Sequence, residues 1–170
     1  MMLRFFLGGC LSLLCVAIAQ APVYLEEEEQ ILDLFATASK EILLYVPNLQ
    51  SQTIGNALIA AGYERKVQVF LVVDEATVYH AASQAASLSL VDGIFVATLT
   101  EGNLSPFAVI DGTTVIKGLL LSRTASVVDT EATVVYSGLS SSNDDRQHFL
   151  QLWEAATPFV VDIDQLLLPQ

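Results

Sequence analysis

FAVIDGTTVIKG, residues 107–118, is the stretch on which the fold turns. Phe107 to Ile110 and Thr114 to Ile116 are short runs rich in β-branched and aromatic side chains, and Asp111-Gly112 between them is a tight-turn pair. The segment therefore reads as a β-hairpin. Upstream, Glu41 to Val46 (EILLYV), Val67 to Val73 (VQVFLVV) and Gly93 to Leu99 (GIFVATL) read as strands, and Thr133 to Tyr136 follows the hairpin as another. Between them lie helical patterns. Ile31, Leu34, Phe35 and Ala38 share one helix face, as do Ile54, Leu58 and Ala61 within Ser51 to Ala61, with Gly62 just after. Ala76 to Leu90, rich in Ala and Ser, reads as a further helix. Near the end, Asn143 or Asp144 would cap a helix striped by Phe149, Leu152, Trp153 and Ala156, with Pro158 as its stop. Helices alternating with strands and then a cluster of close strands predict an α/β chain, an α+β mixed sheet flanked by helices.

Composition bounds the rest. The chain has 170 residues, 19 Asp+Glu against 7 Lys+Arg, a formal charge of -12, 53% apolar residues and two cysteines. That much apolar content excludes a disordered chain, and the acidic balance argues against a nucleic-acid partner, since phosphates repel it. Residues 1–19, MMLRFFLGGCLSLLCVAIA, place one Arg before an apolar run and end in Ala17-Ile18-Ala19, the pattern of a secretory signal peptide. Cleavage there predicts a secreted or periplasmic protein with no stable membrane span, a domain over residues 24–160 and a tail over 161–170. An uncleaved anchor, or lipidation at Cys10 within Leu7-Gly8-Gly9-Cys10, is the alternative. Cys10 and Cys15 would both leave with the signal, so no disulfide, thiol nucleophile or cysteine metal site is expected. The run Glu26 to Glu29 admits two readings, a cation site or acidic residues favoured at a helix's positive end. Consecutive spacing suits the second.

Phosphate-loop, dinucleotide, nucleophile-elbow and zinc-protease motifs do not occur, so no cofactor or metal is expected. The two histidines, His80 and His148, fall in separate predicted helices, and nothing in their spacing brings them together.

The order of elements and several strings resemble one half of the phospholipase D superfamily, the HKD phosphodiesterases. Ala38-Ser39-Lys40-Glu41-Ile42 with Leu43 to Val46 is similar to that family's opening helix and strand. Thr53 to Ala61 resembles its second helix and Val67 to Glu75 the next strand, in a likeness that covers roughly residues 27 to 157. The family signature is His-x-Lys, four residues, Asp, six residues, Gly, and Asp111 and Gly118 have that last spacing. The resemblance thus implies a phospholipase D-like single half-domain. In the family a His attacks phosphorus, a partner His protonates the leaving oxygen and Lys holds the phosphate, but here Leu104 stands at the His position and Pro106 at the Lys position. Leu119 to Leu121 stand where the family offers Ser and Asn. Leu cannot act as a nucleophile and Pro cannot balance phosphate charge. Asp111 is either a retained site residue or an ordinary hairpin turn, and Glu131 either a remnant of the His-orienting carboxylate or a strand-edge residue. Gly118 is expected to serve close backbone packing.

The expectation is a secreted, catalytically inactive domain acting as a binding or scaffold module. The resemblance also implies assembly as a homodimer, or with another phospholipase D-like chain, across an apolar contact formed by Leu104, Pro106 and Leu119 to Leu121. The alternative is a phosphodiesterase or phospholipase with a non-standard site, using His80 or His148 near Asp111, with Lys117 the nearest cation. A third reading makes the former phosphate cleft an apolar ligand pocket.

Overall fold

A computed structural model describes residues 21–100, 104–122 and 132–161. The segment read as a signal peptide, Glu131, and the tail beyond Val161 fall outside them. Eight strands form one mixed sheet in the order β1-β7-β6-β5-β2-β3-β4-β8. They are β1 (Val23–Leu25), β2 (Glu41–Tyr45), β3 (Gln68–Asp74), β4 (Ile94–Leu99), β5 (Phe107–Ile110), β6 (Thr114–Lys117), β7 (Thr133–Ser137) and β8 (Thr157–Pro158). β2, β3 and β4 run parallel, and every other pairing is antiparallel. The helices are α1 (Glu28–Thr37), α2 (Gln52–Ile59), α3 (Ala85–Leu88) and α4 (Leu139–Ala155). Among the described residues no helix is long and apolar enough to cross a membrane.

Alternation along the strands divides the core in two. Ile42 and Leu44, with Val69, Leu71 and Val73, point to the face covered by α1, α2 and α3, where they meet Ile31, Phe35, Ile54, Leu58 and Leu88. Leu43, Tyr45, Val72, Phe107, Val109 and Val115 point to the other face, against Phe149 of α4. β2 is buried from Ile42 to Tyr45 because helices cover both its sides, which is why it reads as an unbroken apolar run. The predicted hairpin forms: Asp111 and Gly112 take φ of 51° and 67°, and Thr113 N donates to Ile110 O at 3.0 Å.

Three expectations are corrected. Ala76 to Leu90 is not one helix: a 3₁₀ turn covers Glu75–Thr77, and only Ala85–Leu88 is α-helical. His80 N and Ser83 N donate to carbonyls three residues back, while Gln84 N reaches across to Leu49 O at 2.8 Å. His80 Nδ1 and Ser83 Oγ take the amides of Ala82 and Ala85, the local competition that short polar side chains offer a helix. Nor do Asn143 and Asp144 cap the last helix, since both lie inside α4, whose N-cap is Gly138. Its first turn is tied to the hairpin instead, through Ser142 Oγ donating to Gly112 O at 2.6 Å. Its end agrees with the reading, as Ala156 turns extended just before the Thr157-Pro158 strand. The second helix stops as an α-helix at Ile59, but a π-helical turn, Ala60–Glu64, carries the chain past Gly62. β1 and β8 are too short to have left a periodic signal.

Candidate functional site

Parallel strands in an open sheet leave a crevice at their carboxyl ends. Here those ends carry a polar pair. Tyr45 closes β2 and Asp74 closes β3, and the fully buried Tyr45 hydroxyl donates to Asp74 Oδ1 at 3.3 Å. Burial, then the Asp74 charge and the hydrogen bond to it, push the Tyr45 hydroxyl up to about 12, against a smaller opposing hydrogen bond with the Leu104 backbone. Burial raises Asp74 above the ordinary carboxylate value, and the Tyr45 hydrogen bond counters it in part. Tyr45 is therefore a neutral donor, and the segment Leu104 to Phe107 meets it through the Leu104 backbone and the Phe107 ring.

That segment forms one wall of a groove of about 270 Å³ lined by Leu104, Ser105, Pro106, Phe107, Lys117, Asp145 and His148. Leu104 is 37% exposed, whereas Pro106 is buried and its carbonyl accepts from Gly118 N at 3.0 Å. Phe107 opposes Lys117 in the hairpin register, so both side chains leave the same face. Lys117 Nζ meets Asp145 Oδ1 of α4 at 2.7 Å, with the lysine side chain 44% exposed and the aspartate 19%. One turn along α4, the exposed His148 ring lies on Phe107, centroids 5.6 Å apart. Behind them Phe107 contacts Tyr45 and Phe149, and Phe149 stacks on Trp153.

Lys117, read as the nearest cation, thus faces the groove. His148 joins Leu104 and Pro106 there, and His80 is not among the lining residues. Asp111 is at the opposite end of β5, so the expected closeness of a histidine to Asp111 does not hold for His148. The Asp111 carboxylate instead clamps the entry to β2, accepting from Ser39 N (2.9 Å), Ser39 Oγ (2.8 Å), Lys40 N (2.8 Å) and Glu41 N (3.1 Å). Burial alone would raise its pKa, but these hydrogen bonds outweigh that and hold it below the usual carboxylate range. The turn reading of Asp111 holds, and the carboxylate adds a long-range structural role that neither reading included.

Gly118 packs as expected. With φ at 138°, a Cβ there would lie 2.6 Å from Thr133 Cα. The leucines after it depart from the expected apolar contact surface, because Leu121 is fully buried and Leu120 packs against the same core. Glu131 is outside the described residues. Sequence reasoning missed the Lys117–Asp145 and Tyr45–Asp74 pairs. The first was available by counting across the Asp-Gly turn, which puts Lys117 on the Phe107 face, and by noting Asp145 one helical turn before Phe149.

The sheet order, its flanking helices and the crevice at the strand ends define a phospholipase D-like fold. The structure is similar to that of Nuc, a phospholipase D family member from Salmonella typhimurium, with a TM-score of 0.68 over 83% of this chain and 100% of that one at 20% identity. NucT from Helicobacter pylori is similar at a TM-score of 0.68 and 14% identity, over 82% of this chain and 98% of that one. TrmBL2, an archaeal chromatin protein whose structure shows a novel mode of DNA binding, aligns at 0.62 and 16% identity, over 86% of this chain and 57% of its own. No family model matches the sequence, and no curated protein matches it either.

Proposed function

We propose that this chain is a secreted phospholipase D-like domain, spanning residues 24–160, that has lost phosphodiesterase chemistry and serves as a binding or scaffold module. One observation carries the reading. At the groove, the positions that the HKD signature gives to His and Lys hold Leu104 and Pro106, so the wall that would attack and hold a phosphodiester is apolar. Lys117, the sole Lys or Arg among the described lining residues, is already paired with Asp145, which leaves little net positive charge for a phosphate. The Ala17-Ile18-Ala19 site supports export, and the likeness to the HKD family supports pairing with a second phospholipase D-like chain.

A second reading has support of its own, because His148 sits in that same groove beside Lys117. A general base there could serve a phosphodiesterase built from different residues. Hydrolysis of a chromogenic phosphodiester separates the two. The purified chain is expected to show none, even at high protein concentration. Turnover that survives repurification and disappears in His148→Ala would overturn the inactive reading. The variant Leu104→His with Pro106→Lys, run beside it, reports whether the groove still accepts the signature side chains. Sedimentation of the same sample tests pairing, and a strict monomer at high concentration with no partner in the native extract would remove it.

A further inference from the structure

An aromatic patch stands open on the sheet beside the place where the last described residues leave it. Phe95 of β4 pairs with Phe70 of β3, and their rings stack with centroids 5.2 Å apart. Trp153 of α4 meets Phe70 edge-on, also at 5.2 Å. Leu150, exposed and three residues before Trp153 on the helix, extends the patch. Phe95 is 47% exposed, because α4 starts at the hairpin turn and ends beside Thr98, where it shields Leu99 and leaves the Phe95 end of β4 open.

The chain then heads for that open end. β8 runs antiparallel to β4, with Thr157 opposite Thr98 and Pro158 opposite Ala97, and Phe159 N donates to Val96 O at 2.9 Å. Phe159 itself turns to the other face, against Tyr79, and the next residue, Val160, is 83% exposed. We propose that residues 162–170 fold back over the α4 side of the sheet and seat Ile163, Leu166 and Leu167 on Phe95, Phe70 and Trp153.

Reach and chemistry both fit. Phe70 is two strands from β8, about 10 Å at ordinary strand spacing, and a segment of this length extends to about 30 Å. Within DIDQLLLPQ, Ile163, Leu166 and Leu167 have the i, i+3, i+4 spacing that gathers apolar side chains on one face, with Asp162, Asp164 and Gln165 on the other. A second copy of the chain is the competing occupant. Two chains of charge -12 repel each other, whereas a segment tethered at Val161 acts at an effective concentration of about millimolar without bringing up a second acidic domain. The contact is independent of whether the groove is catalytic.

Trp153 is the only tryptophan in the chain, so its fluorescence reads the patch directly. Ending the chain at Val161 should move the emission to the red and raise its quenching by acrylamide relative to the full chain, with circular dichroism showing that both are folded. Leu166→Asp with Leu167→Asp in the full chain should do the same without shortening it. A synthetic peptide of residues 162–170 should reverse the change in the shortened chain only at about millimolar concentration, the level that the tether supplies. Urea unfolding completes the test. Removing the segment should destabilise the parent more than it destabilises Phe95→Ala, since changes to groups in contact are not additive. Equal quenching in the full and shortened chains, or additive effects of the two changes on stability, would overturn the proposal. So would quenching in the full chain that falls as protein concentration rises, with a dimer in sedimentation, because a second copy would then be the cover.

Discussion

The Asp111 carboxylate sits at positive φ, a conformation that most residues avoid and that Asp and Asn tolerate, and from there it accepts four hydrogen bonds from Ser39, Lys40 and Glu41. Asp111→Asn keeps the backbone preference and removes the charge, so it isolates the clamp. At neutral pH it should lower stability by about 1–2 kcal/mol, as for partly exposed charge-assisted bonds. The folded pKa lies below the unfolded one, so the stabilisation is fully present above the unfolded value near 4 and is lost as pH falls through the folded value. Urea unfolding of parent and variant should show a gap that is constant above about pH 5 and narrows below about pH 4.5. A gap independent of pH would mean that the charge contributes nothing. Gly118 argues the same way from sterics. Gly118→Ala combines a disfavoured φ with a contact that Thr133 backbone cannot relieve, and should cost several kcal/mol or prevent folding, read from circular dichroism and expression.

At the scale of elements, what the sequence disclosed depended on whether local and tertiary forces agreed. The hairpin, the parallel strands and the α4 stripe were legible because side-chain period and burial coincide: Phe149 is buried and Leu152, Trp153 and Ala156 pack beside it. The Ala/Ser-rich stretch misleads because helix propensity is a weak prior, which Ser83, His80 and the Leu49 carbonyl override. The π-helical turn after α2 was invisible, yet it has a structural consequence. It delivers Arg65 to the end of α1, where Nη1 donates to Ala36 O at 2.6 Å and Ala38 O at 3.1 Å, and Nη2 to Phe35 O at 2.9 Å. The carbonyls that end a helix need such partners, and a cation complements the negative end. Arg65→Met should lower stability by about 1–2 kcal/mol. It should also speed amide exchange in the last turn of α1 more than in β3; equal effects on both would point to general destabilisation instead.

Across the whole molecule, net charge decides what the fold leaves open about nucleic acid, and a measurement can test it. The same architecture occurs in an archaeal chromatin protein whose structure shows DNA binding, and fold similarity by itself would invite that reading here. The fold was legible from the order of the strings, but the groove's chemistry was not, because Lys117 and Asp145 meet only through the packing of α4 on β6. Once they meet, the lining has no unpaired Lys or Arg among the described residues. DNA binding draws its affinity from releasing counterions as cations replace them on phosphates, and a chain with 7 Lys+Arg against 19 Asp+Glu has few cations to offer. Fluorescence anisotropy with a labelled duplex at about 0.15 M salt, near physiological ionic strength, should therefore show no binding up to tens of micromolar protein. Lowering the salt should not rescue it, since weaker screening lengthens the repulsion between two polyanions. Binding that strengthens as salt falls would reveal a local cationic surface strong enough to outweigh the net charge.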